Sequence, residues 1–210
     1  MKIVVFGASG RTGRQVVPIA VKRGHDVSAF VRDASKQWFP DAVAVHQGDP
    51  SDAESVEAAL IGTDAVISVL GPIAGETEHE ISDATATIVG VMERTGPHRL
   101  VVAANNTVFS DREVTGEYAN VAAEHRRDLE VLRGSALAWT VVAAPMLSDD
   151  PGSGSTEAVI EGRAPGRSIA RADFAAALLD SLANDDWIRH AVGVANVPSD
   201  ESTPSSPPSA

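Results

Sequence analysis

Lys2-Ile3-Val4-Val5-Phe6-Gly7-Ala8-Ser9-Gly10-Arg11-Thr12-Gly13 decides how the rest of the chain is read. Its first five residues form a near-continuous apolar run, as expected of a strand buried on both faces. A helical pattern begins near Thr12. Between the two, the glycines are spaced G-x-x-G-x-x-G. Gly7 permits the tight strand-to-helix turn, Gly10 lets the backbone approach a pyrophosphate, and Gly13 allows the helix to pack closely on the strand. The phosphates then face the unpaired N–H groups and the positive dipole end of the helix. Alone, such glycines mark an ordinary tight turn. Placed after a first strand and opening a helix, they point to a dinucleotide.

Working outward, short β-branched runs alternate with helical patterns. Strands are expected at Lys2–Phe6, Asp26–Val31, Ala42–His46, Ala65–Leu70, Arg99–Ala104 and Trp139–Ala144, and helices at Thr12–Arg23, Ser51–Leu60, Glu78–Arg94, Glu117–Arg133 and Ala172–Ala183. Strands separated by helices need crossover connections, so the sheet should be parallel and covered on both faces. This is an α/β fold, a Rossmann-type doubly wound parallel sheet, with a small C-terminal excursion on the substrate side. Ser51-Asp52-Ala53-Glu54 has capping-box spacing, which makes Ser51 the expected cap. The turn-rich stretch Ser148–Ser155 takes the chain away from the sheet after Pro145. A strand at Glu157–Glu161, a loop with Pro165 and Gly166, the last helix and a strand at His190–Asn196 are expected to follow. Residues 1–197 are read as one domain, with the substrate-side segment at about 146–170. Residues 198–210 are read as a disordered tail rich in serine and proline.

Composition removes several classes of function. The 210 residues carry 17 basic and 29 acidic side chains, a net charge of −12, and 43% of them are hydrophobic. Such a balance disfavours nonspecific binding to nucleic acid or to an anionic membrane. There is no cysteine, which excludes disulfides, thiolate metal sites and cysteine nucleophiles. No apolar run approaches the ~18 residues of a membrane span, so a cytoplasmic location is expected. None of the six histidines has a metal-ligand spacing. No G-x-S-x-G elbow or G-K-[ST] phosphate loop is present either. Charge is unevenly spread: residues 1–36 hold seven basic side chains against two acidic ones. That end of the chain is a candidate anion site.

The choice of dinucleotide rests on the end of the second strand, Val31-Arg32-Asp33-Ala34-Ser35-Lys36. An acidic residue there takes the ribose 2′-hydroxyl of NAD, whereas an arginine takes the 2′-phosphate of NADP. Arg32, with Lys36 close behind, favours NADP(H) over NAD(H). The alternative places Asp33 on the ribose and leaves Arg32 as a solvated surface residue.

Taken together, Gly7–Gly13, Val31-Arg32-Asp33, Gly48-Asp49, Leu70-Gly71-Pro72, Leu132-Arg133-Gly134-Ser135 running into Trp139–Val142, Pro145, Gly162-Arg163-Ala164-Pro165 and Arg171-Ala172-Asp173 resemble the atypical short-chain dehydrogenase/reductase families. The resemblance spans roughly residues 2–197. It is strongest to the NADPH-dependent flavin reductase and biliverdin reductase B group and its NmrA-like relatives. It implies that Ser9, Gly10, Arg11 and Thr12 hold the pyrophosphate, Arg32 and Lys36 the 2′-phosphate, and Asp49 the adenine. The other reading of Asp49 is a helix-entry residue ahead of the cap. Leu70 and Gly71 should line the nicotinamide ribose, since ligands sit outside the carboxyl ends of the strands. Asn105 and Pro145 complete the implied cofactor set.

At the nicotinamide end the chain departs from its relatives. Short-chain dehydrogenases pair a tyrosine with a lysine four residues on. Here Tyr118 is the only tyrosine, Ala122 stands at that spacing, and no lysine follows Lys36. Where the flavin reductase group has a serine after the fifth strand, this chain has Asn106, which can hydrogen-bond but cannot act as an acid. His125 falls where that group also carries a histidine, and imidazole suits proton donation near neutral pH. It reads equally as a cleft residue or a surface helix residue. Met146 takes the place of the group's second pocket histidine and is expected to form an apolar wall.

The expected activity is NADPH-dependent hydride transfer to a flavin, quinone or similar conjugated acceptor, with catalytic candidates Asn106 and His125 and no metal. Hydride transfer to a planar ring needs mainly stacking in register, which tolerates a missing Tyr-Lys pair. Two alternatives stay open: a non-catalytic NmrA-like sensor of NADP(H), and a sugar-nucleotide epimerase or dehydratase. Expected partners are a small conjugated acceptor, with no nucleic acid and no membrane. The sequence leaves the oligomeric state open, with a monomer the default.

Overall fold

Among the described residues ten strands and five α-helices follow one another: β1 (Lys2–Phe6), α1 (Gly13–Lys22), β2 (Asp26–Val31), β3 (Ala44–Gln47), α2 (Ala53–Leu60), β4 (Ala65–Ser68), α3 (Glu80–Thr95), β5 (Arg99–Asn105), α4 (Ala119–Gly134), β6 (Ala138–Ala144), β7 (Met146–Ser148), β8 (Thr156–Ile160), β9 (Ser168–Ala170), α5 (Arg171–Asp180) and β10 (His190–Asn196). The computed structural model describes residues 1–36, 39–71, 80–110 and 114–197. The eight-stranded sheet has the order β3-β2-β1-β4-β5-β6-β10-β8, parallel throughout except for β8, which runs antiparallel to β10. This is the expected doubly wound Rossmann-type sheet.

Alternation along the strands explains the apolar runs. In β1, Ile3 and Val5 join one core with Val16, Val17 and Ala20 of α1 and Phe174 and Leu178 of α5. Val4 and Phe6 join the other core with Val56 of α2, Ile88 and Met92 of α3, and Leu129 and Leu132 of α4. Successive side chains of a strand point to opposite faces, so a strand with helices on both sides is apolar at every position. Strand order reverses between β2 and β4 around β1, and a crevice forms at such a point outside the carboxyl ends.

Several boundaries differ from expectation for local reasons. The cap of α2 is Asp52, not Ser51: its carboxylate accepts the backbone N–H of Glu54 and Ser55 and the hydroxyl of Ser55, while the N–H of Ser51 bonds Asp49 Oδ1 at 2.9 Å. Strand β4 ends at Ser68 rather than Leu70, because Val69-Leu70-Gly71 crosses over the glycine turn. The substrate-side segment holds more structure than expected, with β7 and β9 pairing in a separate two-stranded parallel sheet. The expected start of the third helix at Glu78 and the tail 198–210 lie outside the described residues.

Candidate functional site

Gly7 takes φ +76°, and a Cβ on it would lie 2.7 Å from the carbonyl oxygen of Val69. A Cβ on Gly13 would lie 2.3 Å from Gly7 O and 2.5 Å from Ala8 O, both backbone atoms that cannot yield. The turn is closed by Gly10 N–H on Gly7 O at 3.0 Å. Thr12, the N-cap of α1, makes no side-chain capping bond, and the first turn carries no acidic residue. This helix end is a ready anion cradle.

The cradle opens into a cavity of about 400 Å³ whose walls come from six segments of the chain. Gly7, Ser9 and Gly10 form the turn side; Phe30 and Arg32 come from the end of β2; Asp49, Pro50 and Ser51 follow β3; Val69, Leu70 and Gly71 follow β4. The far wall is Glu80, Ile81 and Ala84 of α3 with Asn120 and Glu124 of α4. Phe30 is buried and its ring packs on Phe6, with centroids 4.6 Å apart.

Of the residues expected at the cofactor, the structure therefore gathers Gly7, Ser9, Gly10, Arg32, Asp49, Leu70 and Gly71 around one space. Gly13 supports the turn from behind. Thr12 Oγ1 accepts from Arg171 Nη1 at 3.2 Å, and Arg11 is exposed and paired with Asp149. Asn105 ends β5 with its Oδ1 accepting the backbone N–H of Thr107 at 3.0 Å and the Thr107 hydroxyl. Pro145 is half-buried between β6 and β7. Lys36 closes the short 3₁₀ turn Ala34–Lys36, and its side chain lies outside the described residues.

Around the end of β2 the two candidate side chains part. Arg32 lines the cavity. Asp33 Oδ1 instead accepts the backbone N–H of Ser35 at 2.9 Å and its hydroxyl at 2.6 Å, an Asx turn.

Glu124 is the residue the sequence reading missed. It is fully buried, yet Oε2 accepts the backbone N–H groups of Ile81 and Ser82, both at 2.9 Å, and Oε1 accepts from Arg127 Nε at 3.0 Å. Burial works to raise its pKa, but the Ser82 N–H, the Arg127 guanidinium and the Ile81 N–H outweigh it and hold the carboxyl below its ordinary range. The only local signal is Arg127 three residues on.

At the expected catalytic end, Asn106 begins the 3₁₀ turn Asn106–Phe109, which packs on α4. Its Oδ1 is buried without a hydrogen-bond partner among the described residues. His125 is neither a surface residue nor part of the cavity wall: it is 7% exposed, and its Nδ1 stands 3.6 Å from the buried carboxylate of Asp128. Tyr118 just before α4 and Met146 just after β6 are 70% and 75% exposed. Both lie at the carboxyl-end side of the sheet. Among the described residues no group of three or more histidine or acidic side chains is placed to hold a metal, and no helix is long and apolar enough to cross a membrane.

A doubly wound sheet with a glycine turn and an uncapped helix end facing a cavity at the strand-order reversal defines a Rossmann-type dinucleotide-binding protein. The chain belongs to the NAD(P)H-binding family, which matches residues 7–185. It is 32% identical over 203 residues to the uncharacterized protein YwnB of Bacillus subtilis (strain 168), covering 87% of this chain and 92% of that one. Further curated relatives, among them the isoflavone reductase homolog IRL of Zea mays, match over less than half of this chain and less than two fifths of their own length. Among solved structures, a wide-type short-chain dehydrogenase/reductase of Veillonella parvula DSM 2008 in complex with NADP superposes with a TM-score of 0.76 at 18% identity, covering 93% of this chain and 94% of that one. SP1627 of Streptococcus pneumoniae TIGR4, whose proposed activity is NADH-flavin reduction, superposes with a TM-score of 0.77 at 23% identity, covering 94% of this chain and all of that one. The family binds NAD(P)H.

Proposed function

We propose that this protein is an NADPH-dependent oxidoreductase that passes hydride to a flavin, quinone or similar conjugated acceptor. The observation that carries the cofactor preference is the division of labour after β2. Arg32 lines the cavity, while Asp33 is not among its lining residues and its Oδ1 accepts from Ser35. A guanidinium facing the adenosine ribose suits a 2′-phosphate, and a carboxylate held in an Asx turn outside the lining is the poorer candidate for a 2′-hydroxyl.

In this reading the uncapped start of α1, with Ser9 and Gly10, receives the pyrophosphate. Asp49 and Phe30 border the adenine side, and Leu70 and Gly71 the ribose next to the nicotinamide. The bound cofactor supplies the hydride. The protein's own part is to hold a flat acceptor in register and to keep water from the stacked rings. Met146 and Tyr118, apolar and exposed beside the carboxyl ends of the sheet, suit a planar conjugated ring better than a small polar carbonyl compound. The absence of a Tyr-Lys pair fits the same class of acceptor, whose protons can come from solvent. The proposed activity of SP1627 agrees with a flavin acceptor, though with NADH as the donor.

The deciding experiment follows NADPH and NADH oxidation at 340 nm with purified protein offered FMN, a set of quinones and a set of simple carbonyls. Turnover with flavin or quinone, faster with NADPH, is expected. Tight NADPH binding without turnover on any acceptor would replace the enzyme reading with that of a cofactor sensor.

A further inference from the structure

One carboxylate from the substrate-side segment spans the two arginines that border the glycine turn. Asp149, next after β7, accepts from Arg171 Nε through Oδ1 at 2.9 Å and from Arg11 Nη2 through Oδ2. Arg171 opens α5, is 8% exposed, and also reaches Thr12 Oγ1. The hydrogen bonds from Arg171 first and Arg11 second hold the Asp149 carboxyl below its ordinary range. It is therefore an anion at neutral pH, placed beside the helix end that the pyrophosphate must approach.

The fold delivers this carboxylate from a tethered segment. Asp173 on α5 accepts the backbone N–H of Ser153 at 2.8 Å and of Gly154 at 3.0 Å, and Asn196 at the end of β10 donates to the same carboxylate at 2.6 Å. Asp149 itself lines a second, open cavity of about 280 Å³, together with Gln15, Asp150, Gly152, Arg171 and Ala172. The carboxylate thus has room to withdraw while its segment stays anchored.

We propose that Asp149 is a built-in competitor for the cofactor's phosphates. Without cofactor it neutralises Arg11; on binding, phosphate oxygens take Arg11 over and Asp149 withdraws toward the second cavity, keeping Arg171 as its partner. The reason is electrostatic. A phosphate on the α1 N-terminus beside an unmoved carboxylate meets like charge, whereas sharing the arginines out leaves Asp149 paired with Arg171 and gives Arg11, together with the helix end, to the phosphates. Binding of any pyrophosphate-bearing nucleotide is thereby coupled to the segment after β7 that borders the acceptor side. This proposal rests on the dinucleotide reading of the site.

The test is calorimetric titration of ADP and NADPH into wild type, Asp149→Asn, Asp150→Asn and the double variant Arg11→Met/Asp149→Asn. Asp149 and Arg11 are largely exposed, with side chains at 61% and 71%, so the fold does not depend on their pairing. Asp149→Asn should bind both ligands about two- to fivefold more tightly, the range of an exposed ion pair. Asp150→Asn should gain less, and Arg11→Met should abolish the gain. Equal gains in Asp149→Asn and Asp150→Asn would mean a general field effect and overturn the proposal. Weaker binding by Asp149→Asn would overturn it too, by showing that Asp149 presents Arg11 to the phosphates. If wild type binds neither ligand, the dinucleotide reading itself fails and the competitor falls with it.

Discussion

The carboxylate of Glu124 on α4 accepts the backbone N–H of Ser82 on α3 at 2.9 Å, across 42 residues of sequence. Together with its bond to Ile81 N–H, it caps the start of α3 with a side chain from another helix. An N-terminal cap is ordinarily a local serine, threonine or aspartate. Here the cap also positions the far wall of the cavity, because Glu80, Ile81 and Glu124 all line it. Cavity shape and packing of α3 on α4 therefore depend on one buried anion.

Glu124→Ala should destabilise the protein by about 2–3 kcal/mol, since it strands two helix N–H groups and Arg127 in place of charged hydrogen bonds. Glu124→Gln should cost less. The folded carboxyl sits below the ordinary value of about 4.3, so its contribution is complete above that value and is lost as pH falls through the lower folded pKa. Urea unfolding of wild type and Glu124→Ala at pH 7 and near pH 3 checks this. The gap between them should narrow in acid, and a constant gap would refute the ionised cap.

Two glycines make a paired prediction. Gly13→Ala drives a Cβ to within 2.3 Å of backbone oxygen and should cost about 3 kcal/mol or more, with loss of nucleotide binding. Gly90 lies inside α3, where a Cβ meets nothing within 4 Å. Gly90→Ala should stabilise by about 0.5–1 kcal/mol, the ordinary helix gain over glycine. Thermal melts of both variants decide whether the glycine turn is constrained by packing or by backbone freedom alone.

Arg32→Ala should weaken NADPH by about 1.5–3 kcal/mol and leave NADH nearly unchanged, because only the former offers a 2′-phosphate. Asp33→Asn should change neither by more than a few tenths of a kcal/mol, as its carboxylate serves the Ser35 turn. Calorimetry with both cofactors is sufficient. Equal wild-type affinity for NADPH and NADH would count against the proposed preference.

With a flavin acceptor, His125→Ala should keep turnover within about tenfold of wild type, since a required acid contributes about 10²–10⁴-fold and solvent can replace it for a conjugated ring. Its burial against Asp128 points the same way. Asn106→Ser should leave turnover unchanged or raised. Complete loss in His125→Ala, with NADPH binding retained, would assign the imidazole an essential proton.

Strands β1, β2 and β10 have the bounds read from their residues, and the parallel order followed from strands alternating with helices. The glycine turn and the position of Arg32 on the cavity wall were legible for the same reason: each signal is carried within a few positions, by period, turn chemistry or placement after a strand. Asp33 with Ser35 is also a local Asx signal, and it would have favoured Arg32 further. The cap of α2 was misplaced by one residue because Ser51 and Asp52 are both capping types, and only backbone geometry chooses between them.

By itself, then, the sequence determined a doubly wound sheet and a tight glycine turn at its first crossover, because chain-local sterics and alternating burial dictate both. Tertiary structure decided what surrounds that turn. Glu124 caps a helix 42 residues away, and Asp149 meets Arg11 across 138 residues. Pairings over such separations leave no period in the chain. They exist only once packing on both faces of the sheet has brought the elements together.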